Sequence, residues 1–511
     1  MRPTLFHKWR SHRYFCLLSS VLCPLTPATL GVASVAAFAP FEQFWLMPLT
    51  LAALFHLLRG SRNWQQAFFR AFAFGMGFFL AGVSWVYVSM SVFGGLPMPL
   101  AALAVLLFCI FLALFYAIAG GLFWRFLPAA PVRQTLTFAA LLTLADLARG
   151  YFLTGFPWLA LGYSQTSPSP LVGFAPILGV YGLSFLVALI AACFACGVQK
   201  RDGRWGGGIL LILFAGWSLT GQPWTQPTGD PIRVALVQGN VAQDVKWQPE
   251  HTLRTLTRYR DLVARHPAQL TVLPETAIPV FFDNLPPDYL QELARLAKRQ
   301  QGDLLLGVPT HSANADTENY WNGAISLGVS PNQHYAKSHL VPFGEYAPPG
   351  FDWFLRQMNI PMANFSSGST KQQALRLAGQ RVAVNICYED LFGNELRATL
   401  PTATLLVNLS NTAWFGRSLA QSQHLQIARL RALETGRPML RATNTGVTAI
   451  ITPTGEVQAA LPQFESGVLT GEVQGYTGTT PYARWGDAAA LLLALGALVW
   501  AWFGRGKQGK R

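Results

Sequence analysis

The chain is poor in charge, and poorer still in acid. Of its 511 residues only 12% are Asp, Glu, Lys or Arg, with 24 acidic against 38 basic side chains. A soluble domain carries about 25% charged residues, so one water-soluble globule is excluded. The shortage is uneven. Long apolar runs fill the chain before residue 220 and return after 486, while the stretch between has ordinary polarity. Cysteine is scarce too. There are six, and Cys16, Cys23, Cys109, Cys193 and Cys196 all lie inside apolar runs. Cys387 is alone in the polar stretch, which excludes a disulfide within that stretch. Cys193 and Cys196 read as small buried hydrophobes rather than a metal or redox pair.

What is present is a membrane pattern. A spanning helix needs about 20 mostly apolar residues. Candidate spans are 14–37, 44–58, 66–89, 99–124, 134–149, 170–198, 208–221 and 486–504. Basic residues fall in every second connection: Arg2, Lys8, Arg10 and Arg13; Arg59 and Arg62; Arg125 and Arg133; Lys200, Arg201 and Arg204; then Arg505, Lys507, Lys510 and Arg511. The links 38–43, 90–98 and 150–169 hold no Lys or Arg. Cytoplasmic loops attract these residues, so eight spans with both termini in the cytoplasm are expected. Residues 1–30 lack a small-residue cleavage site after a compact apolar core and read as a retained span. The expected division is a membrane domain of seven spans over 1–221, a water-exposed domain over 222–485 beyond the membrane, and an eighth span with a basic tail over 486–511. Membrane topology accounts for the net charge of +14, and no nucleic-acid partner is expected.

The polar stretch alternates strands and helices. "IRVALVQGN" (232–240), "AQLTVLPET" (268–276), "DLLLGVPT" (303–310) and "RVAVNICYED" (381–390) read as strands. Residues 249–266 and 286–302 have helical spacing. This predicts an α/β layered fold. Helix 424–437, with Arg429, Arg431 and Arg437, reads as a solvated or salt-bridged face.

Chemistry in α/β sheets gathers where strands finish. Glu275 and Cys387 stand at strand ends, and Lys337 follows the strand-like segment 333–337. An unperturbed thiol is only a few per cent thiolate at pH 7 and needs a base. Glu275 would serve as that base. Lys337 would hold it and stabilise charge developing on an acyl oxygen. This is a constellation for acyl transfer through a thioester, although spacing alone does not bring the three together.

"LPET", "KSHLVPFGEY" and "NICYED" resemble the Glu-Lys-Cys signature of the nitrilase superfamily. "SWVYVSMSVFGGLPMP", "TGFPWLALGYSQ", "LSNTAWFG" and "RLRALETGRPMLRATNTGVTAII" are similar to its membrane-embedded branch, the apolipoprotein N-acyltransferase family. One departure is Asn411-Thr412, where that family usually has Asn-Asp. The resemblance implies a multi-span helical membrane domain carrying an αββα sandwich at the periplasmic face of the bacterial inner membrane. It implies a fatty acyl transfer from a phospholipid, commonly phosphatidylethanolamine, to the α-amino group of a diacylglyceryl-cysteine lipoprotein. Glu275, Lys337 and Cys387 would be catalytic. Glu345, Tyr388, Glu389, Asn322, Trp247 and Trp414 would support the site or shape the pocket. No metal or other cofactor is implied, and a monomer is expected.

The segment "PPGFDWFLRQMNIPMANF" (348–365) is too apolar for a solvated loop. Phe351, Trp353, Phe354 and Met358 would form a lipid gate dipping into the membrane interface. Two other readings stand beside this one. A membrane-anchored amidase would share the triad but need neither eight spans nor the apolar arm. A transporter or scaffold would favour ionisable residues within spans, and only Asp146 and Arg149 fit.

Overall fold

The structure, a computed structural model, describes residues 25–166, 168–311, 319–348, 350 and 364–503. Apolar sequence with few breakers produces a helical N-terminal half. Its helices are α1 (Leu25–Ala37), α2 (Leu46–Arg59), α3 (Trp64–Val83), α4 (Met98–Arg125), α5 (Pro131–Tyr151), α6 (Ala175–Lys200) and α7 (Arg204–Leu219). Helices α3 and α4 and the stretch Pro170–Lys200 are long and apolar enough to cross a membrane. Helix α3 ends earlier than the expected 66–89 span, and a short π-helix, Val88–Phe93, follows it. Helix α6 breaks at Gly179, whose φ of +65° favours glycine. The break frees the Val180 N–H, which donates to Glu434 Oε1 at 2.7 Å.

The second half is a sandwich of two six-stranded sheets. The first orders β12-β1-β2-β3-β4-β5, from β1 (Thr225–Gln238), β2 (Leu270–Val272), β3 (Asp303–His311), β4 (Tyr320–Gly328), β5 (His334–Ala336) and β12 (Gly467–Gly478). The second orders β11-β10-β9-β8-β7-β6, from β6 (Leu375–Leu377), β7 (Gln380–Ile386), β8 (Leu405–Ser410), β9 (Met439–Thr443), β10 (Ala449–Ile451) and β11 (Val457–Ala460). Alternation puts Ile232, Val234 and Leu236 of β1 and Val382, Val384 and Ile386 of β7 into one core between the sheets. Helices α8 (Pro249–Arg265) and α9 (Pro287–Arg299) cover the outer face of the first sheet through Tyr259, Val263, Leu293 and Ala297. Helix α10 (Ala420–Thr435) covers the second sheet through Ala428 and Ala432. The layers are therefore αββα, as expected. Helix α11 (Ala488–Phe503) returns to the bundle, with Ala490 and Ala494 in the membrane-side core.

Of the two faces expected for helix α10, solvated or salt-bridged, the salt-bridged one holds. It is not solvated, because it lies between the sheet and the membrane bundle. Its Ile427, Leu430 and Leu433 pack into the bundle core. Arg431 is 1% exposed and pairs with Glu434 at 2.8 Å, while Arg429 reaches Glu42 at 2.9 Å. Arg437, just beyond the helix, donates to main-chain carbonyls of Ala403 and Gly478. Buried arginines need such partners. A helix buried on both sides therefore keeps a polar composition that reads as a surface.

Candidate active site

Strand β7 delivers Cys387 to its own end. The chain turns there into a short 3-10 segment, Cys387–Leu391, and Cys387 itself takes φ +53°. A left-handed backbone at a side-chain-bearing residue is strained and holds only where the surroundings enforce it. Glu389 does much of the enforcing. It accepts hydrogen bonds from Ile386 N–H (2.6 Å), Ser338 N–H (2.7 Å), Ser338 Oγ (2.9 Å), Tyr335 O–H (2.9 Å) and His339 N–H (3.1 Å). It thereby ties the turn after Cys387 to the segment that carries Lys337. From the other side, Tyr388 O–H donates to the Gly155 carbonyl at 2.8 Å, and its ring stacks on Phe156. The membrane bundle thus supports the residue next to the thiol.

Glu275 follows β2 and is nearly buried, at 7% exposure. Gly307 on β3 makes room for it, since a Cβ there would clash with the Pro274 carbonyl. Its Oε1 accepts from Asn322 Nδ2 at 2.7 Å, and its Oε2 from the Asn411 N–H at 2.7 Å. Lys337, 1% exposed, places Nζ 3.6 Å from Glu275 Oε1 and 2.9 and 2.8 Å from the two oxygens of Glu345. Asn322 bridges both carboxylates, reaching Glu345 Oε1 at 2.8 Å. Glu345 also closes its own loop by accepting from the Val341 N–H at 2.8 Å.

These charges bear directly on the thiol. Burial, helped by the Glu275 carboxylate, pushes the Cys387 pKa well above its ordinary value, and Lys337 pulls it back. Burial alone would lower Lys337, but Glu345 and then Glu275 outweigh it and hold the lysine above its usual value. Lys337 therefore stays an ammonium while Cys387 rests as a thiol. Such a thiol becomes a nucleophile only as its proton leaves.

The structure brings Glu275, Lys337, Glu345 and Asn322 into one hydrogen-bonded cluster, with Tyr388 and Glu389 holding the cysteine turn. Trp414 has its ring against Phe93 and its carbonyl accepting from Ser89 Oγ at 2.8 Å. Trp247 is half-buried, and its buried indole N–H has no partner among the described residues. Phe351, Trp353, Phe354 and Met358 lie outside the described residues. The return of that segment is visible: the N–H groups of Asn364 and Phe365 both donate to the Glu345 carbonyl at 2.8 Å.

Sequence reasoning missed several partners. The Asn411 N–H on Glu275 comes from 136 positions away. Asn408 Nδ2 donates to the Cys387 carbonyl at 3.2 Å. Lys246, 1% exposed, reaches the Glu275 carbonyl at 3.4 Å. The one available signal was adjacency: Lys246 precedes Trp247, and Asn411 sits in a motif already singled out.

Comparison with known proteins agrees with this geometry. Residues 30–193 match the family model for the apolipoprotein N-acyltransferase N-terminal domain, and residues 233–482 match that for carbon-nitrogen hydrolase. An apolipoprotein N-acyltransferase of Nitrosomonas europaea is 49% identical, over 94% of this chain and 97% of its own length. That of Chromobacterium violaceum is 44% identical, over 95% of each chain. That of Ralstonia nicotianae is 44% identical, over 92% of each. With both halves matched in one continuous likeness, the chain belongs to the apolipoprotein N-acyltransferase family.

Proposed function

We propose that this membrane-bound acyltransferase moves one fatty acyl chain from the sn-1 ester of a phospholipid, phosphatidylethanolamine, to the α-amino group of a diacylglyceryl-cysteine lipoprotein. Cys387 Sγ attacks the ester carbonyl and gives its proton to Glu275. Lys337 and the Tyr388 main-chain N–H stabilise the oxyanion. The intermediate collapses, and the leaving lysophospholipid oxygen takes the proton back from Glu275. A thioester remains on Cys387. The lipoprotein amine then attacks it, Glu275 accepts the amine proton, and the thiol is restored. The donor ester already holds an activated acyl group, so the residues named are sufficient.

The observation that carries this reading is the cluster of Glu275, Lys337, Glu345 and Asn322, with separations of 2.7 to 3.6 Å, set electrostatically against Cys387. Family membership favours the transferase over an amidase acting on a small nitrogen compound. The alternation of basic and uncharged connections supports eight spans, cytoplasmic termini and a sandwich at the periplasmic face of the inner membrane. The apolar composition of segment 348–365 supports a lipid gate, and its described end, Asn364 and Phe365, is tied to the Glu345 carbonyl. The enzyme works as a monomer in this reading. Phosphatidylethanolamine labelled in either the sn-1 or the sn-2 chain tests the donor bond. Label reaches the lipopeptide from sn-1 only; equal transfer from both positions would contradict the proposal.

A further inference from the structure

Lys246 is the buried charge beside the active site that the mechanism above does not use. It lies on the irregular segment between β1 and α8, and its side chain is 1% exposed. Lysine is almost never fully buried without a counter-ion. Here none pairs with it among the described residues, and its hydrogen bond runs 3.4 Å to the main-chain carbonyl of Glu275. An ammonium has three donors, so this one is under-used at the centre of a polar cluster. Its own segment wraps the same carboxylate. Gln243 Oε1 accepts from Asn411 Nδ2 at 3.0 Å, and the Asn411 N–H in turn donates to Glu275 Oε2.

The charge balance says what such a group is for. The buried Glu275 and Glu389 and the partly buried Glu345 bring three carboxylates around Cys387, and Lys337 brings one ammonium. Asp390 is already matched by Arg441 at 3.0 Å, and Asp244, on the Lys246 segment, is exposed. Attack by the thiol adds further negative charge to this set. We propose that Lys246 is a positioning residue for Glu275, fixing its main chain and supplying the second positive charge that keeps the general base ready.

Its protonation gives this a signature. Burial pushes the Lys246 ammonium down to about 8, against the opposing pull of Glu275. The group is charged below that pH and loses its charge above it. The proposal rests on the triad reading, so the experiment isolates the first half-reaction. Full-length enzyme in detergent–phospholipid micelles is given phosphatidylethanolamine without acceptor, and acylation of Cys387 is timed by intact mass. Leaving out the acceptor removes the α-amino group, which itself titrates at about 7.7–8.0. Wild-type acylation is expected to fall as pH rises through about 8. Lys246→Arg, charged to above about pH 12, keeps its rate through that range. Lys246→Met acylates ~10-fold more slowly at pH 7, consistent with loss of one charge-assisted contact, shows no step near pH 8, and leaves the lipid KM within ~2-fold. A Lys246→Met enzyme with wild-type rate at pH 7, or a Lys246→Arg enzyme with the wild-type alkaline fall, overturns the inference. Should Lys246→Met not fold, the arginine comparison decides alone. Glu275→Gln separates the two layers: normal acylation in that variant removes the triad reading itself, whereas failure of the lysine inference leaves that variant inactive.

Discussion

In the membrane bundle, Asp146 and Arg149 lie one turn apart on α5 and pair at 3.1 Å, both almost fully buried. In the sandwich, Glu275 and Lys337 arrive from separate segments and stand 3.6 Å apart, also buried. The surroundings differ. Asp146 accepts from Tyr116 O–H (2.9 Å), Ser184 Oγ (2.9 Å) and the Leu161 N–H (2.8 Å). Arg149 donates to the carbonyls of Phe156 and Trp158. That pair is used to fold the connection after α5 back under Tyr388. Around Glu275 the partners are side chains and ends of loops from separate segments: Asn322 Nδ2 and the Asn411 N–H hold the carboxylate, and Lys337 stands between it and Glu345. A buried ion pair one turn apart on a single helix, holding its own connecting loop, is architecture. A buried cluster whose charges converge from separate segments is a candidate site.

Three variants would break that comparison if it is wrong. Replacing Cys387 with Ala removes the nucleophile and is expected to lower turnover by ~10⁴-fold or more, with the protein still folded and membrane-inserted. Full-length lipopeptide assays and detergent melting measure both sides. Glu275→Gln is expected to cost ~10²–10⁴-fold in acylation with little change in Tm. Arg149→Met should do the reverse. It leaves Asp146 buried without its cation, which destabilises by about 3 kcal/mol, seen as a lower Tm, while the surviving folded enzyme keeps a lipid KM near wild type. Equal loss of stability in Glu275→Gln and Arg149→Met would erase the distinction. A smaller effect sharpens it. Changing Trp353 and Phe354 together to Ser is expected to raise the apparent KM for lipid several-fold, with kcat within ~2-fold, because these residues guide lipid rather than react. Unchanged kinetics would remove the gate.

The sequence carried the chemistry better than its setting. Glu275, Lys337 and Cys387 were readable because each follows a strand-like segment, and chemistry gathers where strands finish. The α/β layering followed from alternating strands and helices, and the αββα order from the family resemblance. What stayed hidden depends on distant pairing. The first residues of β1, Thr225–Thr228, pair with Tyr476–Gly478 and Gly475 of β12 across a register shift before Ile232. Nothing local in "TQPTGDP" marks a strand, since Pro and Gly usually oppose one. Asn411 and Lys246 were missed because each acts on Glu275 across more than a whole strand–helix unit. Helix α10 was legible in part: its arginines are salt-bridged, one of the two expected faces, but Arg429 meets a partner, Glu42, that only the assembled fold provides.

The central claim is that one sulfur carries the acyl group between two lipidated molecules. Its most direct test is intact-protein mass spectrometry of the full-length enzyme after incubation with labelled phospholipid, followed by peptide mapping and addition of a diacylglyceryl lipopeptide. The account predicts a mass gain of one acyl chain, mapped to the peptide containing Cys387, and its discharge onto the lipopeptide amine. Label on another residue, or transfer continuing in Cys387→Ala, would contradict it.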